Sequence, residues 1–163
     1  MTTKISKHTI FTEEVCSFTL PNFDFYKNKI KQIIKVEENI ASSAPEKKCN
    51  VIAQRTSWNS HQRYPIMYDI SEEMAVVLKQ YVELEGYDVP RMELFQCWIN
   101  WYNKDEYANP HDHGDVLSCV LFVDVEETDA KFIFNSNRRT VLQKKDDKAT
   151  NFSNLKFLTP KNG

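Results

Sequence analysis

The apolar residues change their spacing once along the chain, and that change constrains the fold more than any other feature. Helical intervals occur only before Gly86, in two stretches; from Pro90 onward the apolar residues gather into aromatic and β-branched runs. A helix is expected over Asp24 to Ile40, where Tyr26, Ile30, Ile33 and Ile34 share a stripe and Lys27, Lys31 and Glu38 lie elsewhere. A second helix is expected from an N-cap at Ser71, with Glu72 and Glu73 at the positive end of its dipole. Met74, Val77, Leu78, Tyr81 and Leu84 repeat along it, and Gly86 is placed to end it.

Strands are expected over Met92 to Tyr102, Val116 to Val125 and Lys131 to Phe134, with a turn over Asp124 to Ala130. Thr9 to Leu20 reads as a further strand or extended arm ending at Pro21, and Ala41 to Asn50 has the composition of a loop. Val51 to Tyr68, with Trp58, His61 and the pair Tyr64-Pro65, carries no clean period. Helices followed by strands, without βαβ alternation, argue against a parallel nucleotide-binding sheet.

Composition narrows the function further. Three glycines in 163 residues, Gly86, Gly114 and Gly163, cannot build a phosphate-cradling loop, which needs them clustered. Twenty-one basic against 23 acidic side chains give a net charge of −2, without the electrostatic footprint of a nucleic-acid binder. No apolar run is long enough to span a membrane, and the basic N-terminal segment lacks the apolar stretch of a secretory signal. Cys16, Cys49, Cys97 and Cys119 are scattered without C-x-x-C spacing, so they read as buried, reduced thiols of a cytoplasmic protein.

Chemistry concentrates in Asn109 to Asp115, NPHDHGD. His111 and His113 are separated by one residue ahead of an expected strand, and on extended backbone residues i and i+2 face the same way. Both imidazoles therefore converge on one side, suited to a divalent transition metal. Asp115 shares their parity, whereas Asp112 faces away. The alternative is an exposed turn carrying two solvated histidines. The His111-Asp112 doublet also occurs in metal phosphohydrolases, but there it lies on helices, and the Val/Leu/Phe run after Asp115 favours a strand.

Trp98 to Phe134, WINWYNKDEYANPHDHGDVLSCVLFVDVEETDAKFIF, resembles the core of short Fe(II)/2-oxoglutarate-dependent oxygenases of bacteriophages and bacteria. The resemblance rests on Trp98, Asn100, Pro110, His111, His113, Leu117 and Ser118, with Phe122 where an aromatic is usual, and its close part covers roughly a quarter of the chain. It implies an α+β, mostly β domain: a double-stranded β-helix of jelly-roll, cupin-like type over 91–163, supported by helices and N-terminal strands over 1–90. It implies a dioxygenase that converts 2-oxoglutarate and O₂ to succinate and CO₂ while hydroxylating a C–H bond. His111 and His113 would be iron ligands, with Asp112 or Asp115 as alternatives to the second. Asn100 and Tyr102, on alternate strand positions, would line the cosubstrate site or else serve packing and backbone satisfaction.

The family's third ligand is a distal histidine, and no histidine follows His113 here. The chain is therefore expected to be either part of a longer protein or a short form completed differently, for which strand exchange in a homo-oligomer is one route. A non-catalytic β-helix module, a truncated inactive oxygenase and a cupin-type metalloenzyme without an oxoacid are the rival expectations. The substrate, small molecule or protein, is open. Arg138 and Arg139 could grip a carboxylate but read better as a solvated strand end. Trp98 and Trp101 read as packing residues, His61 as a hydrogen-bonded structural histidine and Cys119 as a core thiol.

Overall fold

A computed structural model describes residues 16–41, 51–113, 117–126, 131–135 and 155–162. Two long helices dominate it: α1, Phe23–Ala41, and α3, Pro65–Leu84, with the single turn α2, Ser60–Arg63, before α3. The strands are short: β1 (Val51–Ile52), β2 (Gln54–Arg55), β3 (Asn100–Trp101), β4 (Tyr107–Ala108), β5 (Phe132–Asn135) and β6 (Leu155–Leu158).

The α1 stripe forms as its spacing dictates. Tyr26, Ile30 and Ile33 are buried, and they meet Met67 and Ile70 of α3 with Leu20 and Ile99 in one core. Side chains of this size each stabilise the fold by about 1.5–3 kcal/mol on full burial. Glu37, next along the stripe, is also buried. Its carboxylate accepts hydrogen bonds from Arg63 Nη1 at 2.7 Å and Tyr64 Oη at 2.5 Å. Burial, then this bond to Glu37, raises the Tyr64 phenol above its usual range. A second tyrosine–carboxylate bond, Tyr26 to Glu73, ties α1 to α3 from the other side.

α3 begins earlier than its apolar repeat suggests. Pro65 occupies the first helical position, where its missing N–H costs nothing and its fixed φ suits the helix. Ser71 is thus an interior residue rather than a cap, and its hydroxyl donates to the Met67 carbonyl at 2.7 Å. The end falls where expected. Gly86 takes φ +85°, its N–H reaches Glu83 O at 3.0 Å, and Tyr87 N–H reaches Val82 O at 3.1 Å. That pair of bonds is a Schellman closure. Leu84, expected on the buried stripe, is exposed.

The expected double-stranded β-helix is not what the described residues form. Their strands make three separate antiparallel pairs, β1 with β4, β2 with β3 and β5 with β6, none of them longer than four residues. Gln54 faces Trp101 and Arg55 faces Asn100, while Val51 faces Ala108 and Ile52 faces Tyr107. Residues 51–60 thus run beside 97–108, and Thr56 N–H to Ile99 O and Cys97 N–H to Trp58 O extend the contact.

The Met92–Tyr102 run pairs only over Asn100–Trp101 and a bridge from Cys97 to Asn59. Of Val116 to Val125, residues 117–125 are described, and they form no strand. Packing and charge fasten them instead: Leu121 and Val123 rest on the core, and Asp124 meets Lys27 Nζ at 2.9 Å and Lys31 Nζ at 2.7 Å. β-branched and aromatic composition specifies extended backbone; a ladder also needs a partner strand, which is a non-local matter.

The expected Lys131–Phe134 strand is found as β5, shifted by one residue. Residues 16–20 of the expected Thr9–Leu20 arm form no strand, and 9–15 lie outside the described residues, as do most of the Ala41–Asn50 loop, Gly114, Asp115, Arg138 and Arg139. Cys97 is half-buried, but Cys16 and Cys119 are exposed, so the expected uniformly buried thiols are corrected at those two positions. No helix among the described residues is long and apolar enough to cross a membrane.

Candidate metal centre

β4 leads directly into Asn109 to His113, and Pro110 carries no N–H that could extend the pairing. All five residues are exposed. His111 Nδ1 lies 2.7 Å from the carbonyl oxygen of Asn109. A carbonyl can only accept, so Nδ1 carries the hydrogen, and in the neutral ring the lone pair falls on Nε2. A metal-binding imidazole is commonly fixed in this way by a bond from its other nitrogen.

The His111 and His113 rings stand 5.1 Å apart, centroid to centroid, and are tilted by 32°. Two imidazoles sharing one ion at about 2.1 Å metal–nitrogen distance have centroids roughly 5 Å apart when the N–metal–N angle is near tetrahedral. The two rings are neighbours, although the segment bearing them is not a strand.

Behind His113 stands a stack of π groups. The Trp98 indole is parallel to the His113 ring, with 11° between planes and 5.8 Å between centroids. Trp58 meets Trp98 edge to face at 4.6 Å and 81°, and the Arg55 guanidinium covers the Trp58 ring at 3.7 Å. The β2–β3 register explains the assembly. It sets Arg55 opposite Asn100, so the two flanking chains bring Trp58 and Trp98 together. Trp98 was expected to be a packing residue; it packs, and what it packs against is the candidate ligand His113.

Asn100 lies in β3, half-buried, with Oδ1 enclosed and lacking a hydrogen-bond partner among the described residues. An enclosed amide oxygen of that kind suits a ligand N–H or O–H. Tyr102 lies just beyond β3 and is about half exposed, not a core residue. Trp101 is packed against the core as expected. His61 sits in α2 with Nδ1 buried and unpartnered among the described residues, so the expected hydrogen bond is not found at that nitrogen. Among the described residues no group of three or more His, Cys, Asp and Glu side chains is disposed to hold a metal, and Asp112 joins no such group.

Arg55 and Trp58 are the residues that the sequence alone does not single out. The available signal is a cation three positions before a tryptophan in a segment without a period, which is common on solvated surfaces. Comparison with known proteins returns no family model, no curated protein and no solved structure that matches the chain.

Proposed function

We propose that this protein is an Fe(II)/2-oxoglutarate-dependent oxygenase in which His111 and His113 hold the metal. The observation that carries the metal site is the imidazole pair, spaced 5.1 Å apart with the His111 tautomer fixed by the Asn109 carbonyl. A ferrous ion at such a site, with 2-oxoglutarate and O₂, supplies oxidative decarboxylation to succinate and CO₂ and places one oxygen atom in a C–H bond. The choice of iron and 2-oxoglutarate rests on the resemblance of Trp98–Phe134.

In this proposal His111 donates through Nε2, and Trp98 holds the plane of His113. Asn100, through its unpartnered Oδ1, and Tyr102 are the candidate cosubstrate contacts. The third ligand is sought outside the described residues, with Asp115 the nearest in sequence. The reading extends to a cytoplasmic protein acting on a small molecule or a protein side chain, without nucleic-acid binding, and able to self-associate.

An anaerobic Fe(II) titration with and without 2-oxoglutarate tests this. The expected result is the visible metal-to-ligand charge-transfer band of the chelate at one equivalent of iron, abolished in the double variant His111→Ala/His113→Ala. Iron binding without the band would overturn the 2-oxoglutarate assignment and leave a metal-binding module. Unchanged iron binding in the double variant would overturn the site.

A further inference from the structure

From Leu117 to Val123 the chain runs on without a turn or bend. The composition of this run, Leu-Ser-Cys-Val-Leu-Phe-Val, is that of a strand. Among the described residues, however, no backbone group of Leu117 to Asp124 is hydrogen-bonded to another backbone group. The Val120 N–H has only the sulfur of its neighbour Cys119. Each residue of the run thus carries a donor and an acceptor that a strand partner would satisfy.

The side chains are engaged although the backbone is not. Leu121 and Val123 rest on the helical core, and Phe122 between them meets Phe132 of β5 edge to face at 5.8 Å and 77°. Asp124 is held by Lys27 and Lys31. Anchored on its faces, the run keeps its edges for a partner and has little conformational freedom left to lose on pairing. Val125, just beyond, shows what suits this backbone. Its N–H donates to Asn162 Oδ1 at 2.9 Å, and its carbonyl accepts from Asn162 Nδ2 at 3.1 Å. A residue in a hydrogen-bonded antiparallel pair makes the same two bonds to a peptide group. The Asn162 carboxamide therefore takes the place of a neighbouring strand at Val125, and among the described residues nothing takes it from Leu117 to Asp124.

Charge narrows the partner. Leu117 to Val123 carries none, and Asp124 is compensated by two lysines, so a copy of the same run meets no like charge. Leu117 and Val120, 56% and 55% exposed, are the apolar side chains such a copy would cover. An uncharged β-rich edge is what folded proteins ordinarily blunt with charge, proline or a covering element, and this one has none of these along its length. A two-fold axis sets the run antiparallel to itself, repeats every facing pair and closes the assembly at two chains. We propose that the protein dimerises by antiparallel pairing of Leu117–Asp124 with the same residues of a second copy. Such pairing gives the self-association of the reading above its surface, rests on that part of it alone, and needs no metal.

Sedimentation velocity and residue-resolved amide hydrogen exchange by NMR test this from low-micromolar to submillimolar protein. EDTA keeps the protein metal-free, so failure here leaves the iron titration untouched, and a thiol reductant prevents disulfide dimers. The expected result is a reversible dimer at the upper end, with exchange slowed at alternate residues of Leu117–Asp124, the pattern of one paired edge. Neighbouring residues of a strand aim their N–H groups at opposite edges, so Cys119→Pro and Val120→Pro each remove a donor from one of them. At least one of the two is expected to weaken the dimer about tenfold or more. A monomer at every concentration would overturn the proposal, as would a dimer in which Leu117–Asp124 exchanges freely. Protection that does not change with concentration would overturn it too, since the run would then be covered within one chain. The exchange measurement needs no variant, so it decides the matter even if both proline variants fail to fold.

Discussion

The Trp98 indole and the His113 imidazole lie nearly parallel, 11° between planes and 5.8 Å between centroids, although fifteen residues separate them in sequence. Trp98 reaches that place from the end of a strand pair, and His113 from the segment beyond Pro110. If His113 is a metal ligand, Trp98 is the residue that limits its ring rotation. Trp98→Phe, which keeps a flat partner, should leave Ni(II) affinity within about threefold, whereas Trp98→Ala should lower it about tenfold, as binding energy is spent on ordering the ring. Isothermal calorimetry with Ni(II) checks both, and circular dichroism confirms that each variant is folded. Equal affinity in the two variants would remove Trp98 from the site.

Tyr26 predicts an alkaline transition. The hydrogen bond it donates to the Glu73 carboxylate, together with burial and the Glu73 charge, pushes its phenol from 10.0 up to about 12. A folded-state pKa above the unfolded one means that the native protein holds the proton more tightly. The stabilisation is therefore complete below pH 10 and is lost as pH rises toward 12. Urea midpoints measured across this range should fall in the wild type, with a smaller slope in Tyr26→Phe. Identical slopes would show that the Tyr26–Glu73 bond does not govern the transition.

Removal of Glu37 is expected to be costly. It is buried, and two donors from the start of α3 and the turn before it depend on it. Glu37→Ala should destabilise the protein by about 2–4 kcal/mol, since it strands the Tyr64 hydroxyl and the Arg63 guanidinium as well as leaving a cavity. Arg63→Ala removes a half-exposed partner and should cost about 1 kcal/mol or less. Chemical denaturation of both variants tests the order; a larger loss for Arg63→Ala would reverse it.

Gly86 isolates a backbone effect. A Cβ there would meet no atom within 4 Å, so Gly86→Ala introduces no clash with a neighbour. What remains is the left-handed conformation, φ +85°, which costs an L-residue about 1–2 kcal/mol. A loss of stability of that size, read as a lower melting temperature, is expected, and Gly86→Asn should recover part of it, because asparagine tolerates this region better. Equal losses for alanine and asparagine would mean that the closure of α3 is not the cause.

How much of this was legible in the sequence depends on how local the information is. α1 could be read nearly to its ends, because Tyr26, Ile30 and Ile33 repeat within one element. The start of α3 lay six residues before the expected cap; Pro65 was the better signal, since it suits the first turn and Ser71 does not need to cap. The strand partners were not legible. Two-residue pairs such as Gln54–Arg55 with Asn100–Trp101 leave no periodicity to detect, and they join positions more than forty residues apart. The candidate site divides along the same line. His111 and His113 are neighbours and could be found, whereas Arg55, Trp58 and Trp98 become a unit only through that distant pairing.

The Asp124 carboxylate caught between Lys27 and Lys31 gives the protein an unevenly fastened surface. Those two contacts hold the Asp124 pKa below the ordinary carboxylate value, so the grip persists down to acid pH. Its other weakness is ionic strength. Exposed charges lose most of their attraction once salt shortens the Debye length to a few ångströms, while the apolar contact between α1 and α3 does not weaken with it. Salt thus becomes a selective solvent for one seam of the molecule, able to loosen the residues that follow the histidine pair while the helices stay together.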